Sequence, residues 1–256
     1  MTKKRNKKKT SHPPERPSRR NPRLDCLRGL AIFLMIVDHV AGMLLHIDIE
    51  PTSIRLATRL SMPLFSILMG FLLAARTTVN WNRFFQLVLA TAAINLLFFE
   101  AYRQVEILAS LFVCYSVFLV LRKFFAVLFV AAFFFQFDPS VSLFDFPLSL
   151  VATCVAQGVI LQVYGWRVAA VTGALTLLGL AFVAPPSVYL LYFLLPATLL
   201  VAWAAHSGLA NRGDQLGSGR SPPSWLKWLE VTGRYPLTVY LTQYFILFAI
   251  RAALRT

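Results

Sequence analysis

Five ionisable residues in the first long apolar segment have the types and the spacing of a reactive site. These residues are Asp25, Arg28, Asp38, His39 and His46. On an α-helix, which turns about 100° per residue, Arg28 and His46 fall about 20° from His39, and Asp25 falls about 40° from it. Asp38 points about 100° away. Because ionisable groups are costly in a membrane helix, a one-sided stripe of them predicts a functional site.

Arg28 and His39 stand about 16 Å apart along such a helix, since each residue rises about 1.5 Å. His39 then lies near the middle of the bilayer, where a neutral imidazole can take a proton from a hydroxyl or an amine. Arg28 lies near the membrane boundary, where a guanidinium suits a phosphate-bearing ligand. We therefore predict His39, Arg28 and Asp38 as catalytic residues. The alternative is a stripe of structural polar residues that hydrogen-bond across helices.

The composition indicates that membrane helices hold these residues. Of the 256 residues, 57% are hydrophobic and 14% are charged, whereas soluble domains are typically about a quarter charged. A helix needs about 20 predominantly apolar residues to cross the hydrocarbon core. We predict an all-α, polytopic membrane bundle of about nine (eight to ten) transmembrane helices, at residues 27–46, 59–75, 84–101, 106–121, 123–137, 146–164, 167–184, 188–206 and 236–254.

The charge distribution predicts the orientation of the bundle. Residues 1–23 form a basic tail with too little apolar content to fold, and the membrane domain follows at 24–256. The positive-inside rule places the N-terminus in the cytoplasm, together with a flexible loop at 207–235. The tail has two alternative interpretations, binding to nucleic acid or to anionic headgroups. With this orientation, six arginines lie toward the cytoplasmic side: Arg28, Arg76, Arg83, Arg122, Arg167 and Arg234.

Three motifs resemble those of membrane-bound acyltransferases. RLDCLRGLAIFLMIVDH contains Arg28, ten further residues and then His39, and it resembles the Arg-x10-His signature of membrane-bound acyltransferase family 3. RLSMPLFSILMGFLL (59–73) looks like the second-helix pattern of that superfamily, and with MIVDHV it is similar to the TraX-type pilin acetylases. GRYPLTVYLTQYFI (233–246) resembles the last helix of heparan-alpha-glucosaminide N-acetyltransferase-like proteins. The matches cover the first two helices and the last one.

The resemblance implies transfer of an acyl group, often acetyl from acetyl-CoA, across the membrane to an extracytoplasmic acceptor. His39 would be the base or would carry the acyl group, and Arg28 would bind the CoA phosphates or position the helix. The other five cytoplasmic arginines would supply a positive field for the acyl-CoA. The alternative for each of these five is a role in membrane topology alone.

The predicted outer side of the bundle carries a candidate acceptor site. His46, Arg59 and Glu100, with Glu106 beside them, offer the donors and acceptors that a sugar or an amine needs. Solvated interfacial ion pairs are the competing interpretation. Gln243 stands in the last helix where several relatives have His, and we predict that it makes an interhelical hydrogen bond.

Two other classes of function stay open on the residues alone. In a transporter or permease the polar stripe would form a proton or substrate path, and a non-catalytic membrane anchor would use its basic tail to recruit a partner. An acyltransferase requires a cytoplasm-facing pocket that is lined by Arg28 and reaches His39. We expect a multi-pass protein of the cytoplasmic (inner) membrane that contacts lipid, acyl-CoA and an extracytoplasmic acceptor. We expect neither a metal nor a nucleic-acid partner, and the sequence leaves open whether the chain forms an oligomer.

Overall fold

The computed structural model describes residues 21–45, 57–76, 78–127, 143–183, 186–210 and 223–254. Short 3₁₀ segments occur at Arg122–Val127 and Pro186–Phe193, and the one β-bridge within the described residues joins Val105 to Phe144. The α-helices of these residues are α1 Pro22–Met43, α2 Ser61–Ala74, α3 Trp81–Tyr102, α4 Ile107–Leu121, α5 Leu148–Tyr164, α6 Trp166–Val183, α7 Leu194–Ala210, α8 Ser224–Arg234 and α9 Pro236–Ala253.

The helical architecture confirms the predicted all-α membrane fold. Within the described part of the chain, four stretches are helical, apolar and long enough to cross a bilayer: Pro22–Met43, Trp81–Tyr102, Leu190–Ser207 and Pro236–Ala253. Four shorter apolar helices accompany them, at Ser61–Ala74, Ile107–Leu121, Leu148–Tyr164 and Trp166–Gly179. Nine crossings therefore remain a prediction, and eight of the predicted spans coincide with apolar helices.

The remaining predicted span, 123–137, falls in the connection between α4 and α5. The backbone N–H of Val105 donates to the carbonyl of Leu143 (2.7 Å), and that of Asp145 donates to the carbonyl of Val105 (2.9 Å). These bonds place the start of α4 beside the start of α5, so the two helices run in the same direction. The end of α4 and the start of α5 therefore lie at opposite ends of the bundle. Residues 128–137 of the predicted span lie outside the described residues.

Helices α2 and α5 form the centre of the bundle because glycines let their backbones touch. A Cβ atom at Gly70 would collide with the backbone carbonyl of Val155, and one at Gly158 would collide with that of Ile67. Small residues at such contacts are typical of helix packing in membranes, where close van der Waals contact stabilises association. The core around them includes Leu64, Leu68 and other fully buried apolar side chains.

Part of the predicted loop at 207–235 is helical, which corrects the sequence prediction. Helix α7 continues to Ala210, and α8 spans Ser224–Arg234. Helix α8 packs against α1 so closely that a Cβ atom at Gly233 would collide with the carbonyl of Asp25. The Gly/Ser/Pro-rich stretch indicated a loop, but the amphipathic sequence after Pro223 has enough apolar residues to dock on α1.

Asparagine caps fix the ends of two helices at one end of the bundle. The side chain of Asn21 accepts a hydrogen bond from the backbone of Arg23 (3.0 Å), and Pro22 occupies the first turn of α1. The amide of Asn21 also donates to the carbonyl of Ala204 in α7 (3.2 Å). Asn80 caps α3 in the same way. Such caps satisfy backbone N–H groups that a helix leaves unpaired at its start.

Candidate active site

His39 lies in α1 and contacts two side chains of α9. The Nε2 atom of His39 is 3.0 Å from the hydroxyl of Tyr244, and the Nδ1 atom is 3.2 Å from the side-chain amide nitrogen of Gln243. The ring of Tyr244 also packs on the imidazole, with ring centroids 4.7 Å apart. The first and last helices of the bundle therefore meet at the predicted catalytic histidine, and Gln243 makes the interhelical hydrogen bond that the sequence predicts.

Glu106 is fully buried behind this contact and accepts hydrogen bonds from three groups. The hydroxyls of Tyr240 and Tyr244 donate to its Oε1 atom, the latter at 3.3 Å, and the backbone N–H of Leu108 donates to Oε2 (2.8 Å). Glu106 is thereby the N-cap of α4. Its own backbone N–H donates to Asn95 of α3 (2.8 Å). We call His39, Gln243, Tyr244, Glu106 and Tyr240 the histidine network.

A cavity of ≈ 920 Å³ runs from the end of the bundle where α1 starts to the histidine network. Its volume is typical of a ligand site, for which about 300–1,000 Å³ is common. Phe65, Leu68, Met69 and Leu111 are among its apolar lining residues. Tyr240 lines the inner end, and its ring centroid is 6.2 Å from that of His39. The cavity thus ends one aromatic ring short of the histidine, and His39 itself is not among the lining residues.

The end of the cavity beside the start of α1, which we call the mouth, is basic. Asp25 forms an ion pair with Arg28 there. Four guanidinium groups meet two carboxylates, Asp25 and the Glu230 that pairs with Arg234, so the field in the mouth still favours an anion. The mouth is lined by Arg28, Arg76, Arg83, Arg234 and His206.

The other two predicted cofactor-binding arginines do not line this cavity. Arg122 follows α4 and is exposed, with a left-handed φ of 48°. Arg167 is exposed at the start of α6, where its guanidinium lies 5.7 Å from the ring centroid of Trp166. Their predicted role in binding a CoA-type anion gains no support from this geometry.

Asp38 and Arg59 form a separate contact on the other face of α1. A carboxylate oxygen of Asp38 accepts a hydrogen bond from the hydroxyl of Thr58 (2.7 Å), and the second oxygen is 3.9 Å from Arg59. As the helical wheel predicts, Asp38 points away from the stripe of His39. Glu100 is exposed near the end of α3. His46 lies outside the described residues.

Comparison with known proteins identifies the family. The model of the heparan-alpha-glucosaminide N-acetyltransferase catalytic domain matches residues 20–245, which include all five residues of the histidine network. The chain belongs to this family. No curated protein and no solved structure matches it.

Membership in the heparan-alpha-glucosaminide N-acetyltransferase family makes this chain an N-acetyltransferase-like membrane enzyme. Of the three resemblances in the sequence, the one carried by GRYPLTVYLTQYFI is thereby confirmed. Among the described residues, no group of three or more His, Cys, Asp or Glu side chains is placed to hold a metal ion.

Sequence reasoning missed the tyrosines and misplaced Glu106. The sequence predicts Glu106 in the candidate acceptor site on the outer side or, alternatively, in a solvated ion pair, but its side chain is 0% exposed and lies among aromatic rings. A signal was present in the last helix, because Tyr240, Gln243 and Tyr244 are spaced i, i+3 and i+4 and therefore share one face. This polar face in an apolar helix predicts a polar partner.

Proposed function

We propose that this protein transfers an acyl group, with acetyl as the first candidate, from a cytoplasmic acyl-CoA to an amine or hydroxyl of an extracytoplasmic acceptor. The observation that supports this proposal is the cavity itself, which has four arginines at its mouth and Tyr240, a member of the histidine network, at its inner end. One cavity therefore runs from a site for an anion to within one aromatic ring of the proposed base.

The donor would bind with its phosphates at the mouth and its thioester toward Tyr240. Arginine suits phosphate because its planar guanidinium donates two parallel hydrogen bonds. Between the two ends, the walls are mainly apolar, with Phe65, Leu68 and Met69 among them, and they fit the uncharged arm that links the nucleotide to the sulfur. Movement of the Tyr240 side chain would bring the thioester to His39, since one ring separates them.

His39 would act as general base. The attacking nitrogen or oxygen of the acceptor loses a proton to the imidazole as it bonds to the thioester carbonyl, and the departing sulfur takes that proton when the C–S bond breaks. A base of this kind typically contributes about 10²–10⁴-fold to the rate. Tyr244 holds the ring through Nε2 during this step, and Gln243 contacts Nδ1 until the acceptor replaces it.

The acceptor would approach from the side of α1 that carries Asp38. Asp38, next to His39 in the sequence, and its partner Arg59 offer a carboxylate and a guanidinium away from the mouth. His46 and Glu100 remain predicted members of the acceptor site. We propose that the mouth and the N-terminus face the cytoplasm, as the basic residues at these ends favour.

The test is single-turnover release of acetyl from radiolabelled acetyl-CoA by the purified protein in detergent, with wild type, His39→Ala and Arg28→Ala compared. We expect His39→Ala to bind acetyl-CoA but to lose at least about 100-fold in rate. Arg28→Ala should weaken binding. The proposal fails if wild type neither binds nor consumes acetyl-CoA or longer acyl-CoAs, and a transport function would then lead.

A further inference from the structure

We infer that Glu106 acts through Tyr244 as a positioning residue, fixing the protonation state of His39 and stabilising the imidazolium that forms during acyl transfer. This inference rests on the proposed function and adds a role for a residue outside the Arg28–His39 stripe. It follows from the geometry of a hydrogen-bonded chain that connects a buried carboxylate on α4, a phenol on α9 and an imidazole on α1.

The donors around Glu106 match an ionised carboxylate. Its two oxygens accept three hydrogen bonds, from Tyr240, Tyr244 and the backbone of Leu108. An ionised carboxylate offers only acceptors, so every one of these contacts is satisfied without a further proton. Between the described residues, the ion pairs are Arg28–Asp25, Arg59–Asp38 and Arg234–Glu230, and none of them neutralises Glu106.

The single hydroxyl proton of Tyr244 sets the donor-to-acceptor direction of the hydrogen bonds from His39 to Glu106. Because Glu106 accepts, Tyr244 must donate its hydroxyl proton to the carboxylate. The oxygen of Tyr244 can then only accept from His39, so the Nε2 atom of His39 carries the imidazole proton. This leaves Nδ1 as the basic nitrogen, which agrees with the amide nitrogen of Gln243 placed 3.2 Å from it as a donor.

The proton balance of the reaction follows from this assignment. The N–H or O–H of the acceptor donates to Nδ1 in place of Gln243 and transfers its proton there as the new bond to the thioester carbon forms. The resulting imidazolium keeps its Nε2–H on Tyr244, and its positive charge is stabilised by Glu106 across one hydroxyl. When the C–S bond breaks, the proton on Nδ1 passes to the sulfur, and the imidazole is neutral again. Glu106 holds its charge throughout and takes no proton.

Tyr240 and Tyr244 provide a matched pair of test positions. Both hydroxyls donate to the same Oε1 atom and both side chains are buried, but Tyr244 alone of the two hydrogen-bonds to His39 in the described structure. Tyr240→Phe therefore removes a donor from Glu106 and leaves the link to the histidine intact. Tyr244→Phe breaks that link.

The experiment measures single-turnover rate against pH, with affinity for acetyl-CoA and thermal midpoint recorded for each variant. We expect Glu106→Gln and Tyr244→Phe to slow the reaction by about 30-fold or more and to move the acid limb of the profile to lower pH. The double variant should be no slower than the slower single variant, because both changes break one chain. Tyr240 lies where the thioester is proposed to bind, so the rate and affinity of Tyr240→Phe are free to change, but its acid limb should stay at the wild-type pH. Affinity for acetyl-CoA should stay within about twofold in Glu106→Gln and Tyr244→Phe.

A purely structural role for Glu106, as the N-cap of α4, predicts a different result. Glu106→Gln would then lower the thermal midpoint, leave the acid limb in place and combine additively with Tyr244→Phe, and that outcome overturns the inference.

A second readout does not depend on turnover. In ¹⁵N-histidine NMR spectra, wild-type His39 should carry its proton on Nε2, and Tyr244→Phe should change this tautomer. If wild type shows the Nδ1-protonated form, the inference is wrong even where acyl transfer is confirmed. If acetyl-CoA is not consumed at all, the proposed function fails. The NMR spectra still show whether Glu106 and Tyr244 fix the tautomer of His39.

Discussion

The mouth of the cavity and the histidine network handle charge in opposite ways. The mouth presents guanidinium groups to solvent, and three of its four arginines, Arg76, Arg83 and Arg234, are exposed. Water and salt screen such charges, so they attract an anion without needing fixed partners. In the network, Glu106 is buried and almost every polar atom contacts another polar atom. A charge in an apolar bundle is stable only when hydrogen bonds replace its lost hydration.

This contrast separates two effects that substitutions can have. Removing charge at the mouth should change how tightly an acyl-CoA binds and how that binding depends on salt. Changing the network should alter the rate of the chemical step, because its groups act on the proton that moves.

The largest effect is expected when three mouth arginines are removed together. The Arg76→Ala, Arg83→Ala, Arg234→Ala variant should bind acetyl-CoA about 100-fold more weakly. Each lost contact is worth about 1 kcal/mol at an exposed position, and 1.4 kcal/mol corresponds to a factor of ten. The rate at saturating donor should stay within about threefold of wild type. Equilibrium binding at several salt concentrations and single-turnover rates measure the two quantities, and an intact affinity with a slow rate would contradict the division.

A smaller effect is expected at the contact that holds α8 on α1. In Gly233→Leu the new side chain collides with the backbone of Asp25, so α8 and its Arg234 must move away from the mouth. Overpacking of this kind typically costs about 1–3 kcal/mol of stability. We expect a lower thermal midpoint in detergent and about tenfold weaker acetyl-CoA binding. Val231→Ala, an exposed position on the same helix, is the control and should change neither. An unchanged affinity in Gly233→Leu would mean that the position of α8 does not affect acetyl-CoA binding at the mouth.

The two regions also differ in how well the sequence predicted them. Arg28 and His39 belong to one helix, and helical periodicity alone placed them on one face and about 16 Å apart. The arginines of the mouth are visible because the positive-inside rule assigns each one to the same side of the membrane. Local patterns and a global charge rule therefore suffice for the mouth, although they cannot separate Arg83, which lines it, from Arg167, which does not.

The histidine network could not be assembled from the sequence because its members are far apart in the chain. His39 and Tyr244 are separated by 205 residues, and Glu106 and Tyr240 by 134. The i, i+3, i+4 spacing of the polar residues in α9 marks a face, but the partner of that face depends on tertiary packing. Glu106 was misplaced for the same reason: a carboxylate at a helix start is usually solvated, and only the packing of α9 over it shows otherwise.

Gln243→Leu tests how much of the network the rate requires. The substitution removes the contact with Nδ1 of His39 and keeps the side-chain volume, and we expect a rate about fivefold lower with acetyl-CoA affinity unchanged. The cost to stability should be small, because Oε1 of Gln243 is buried without a hydrogen-bond partner among the described residues and its removal relieves an unsatisfied group. Thermal stability should accordingly hold or rise. A loss of 100-fold would instead make Gln243 as important as His39.

Arg167→Ala should have the smallest effect, and this makes it the sharpest control for the mouth. Arg167 is exposed, lies at the start of a helix and carries the same charge as Arg83, but it packs on Trp166 and does not line the cavity. If the mouth binds its ligand through placed guanidinium groups, Arg83→Ala should weaken acetyl-CoA binding about fivefold, and Arg167→Ala should change it less than twofold at physiological salt. Equal losses would mean that the net positive charge of this end attracts the donor and that the lining arginines have no special position. The salt dependence distinguishes the two accounts further, since a diffuse field is lost at high ionic strength while direct contacts persist in part.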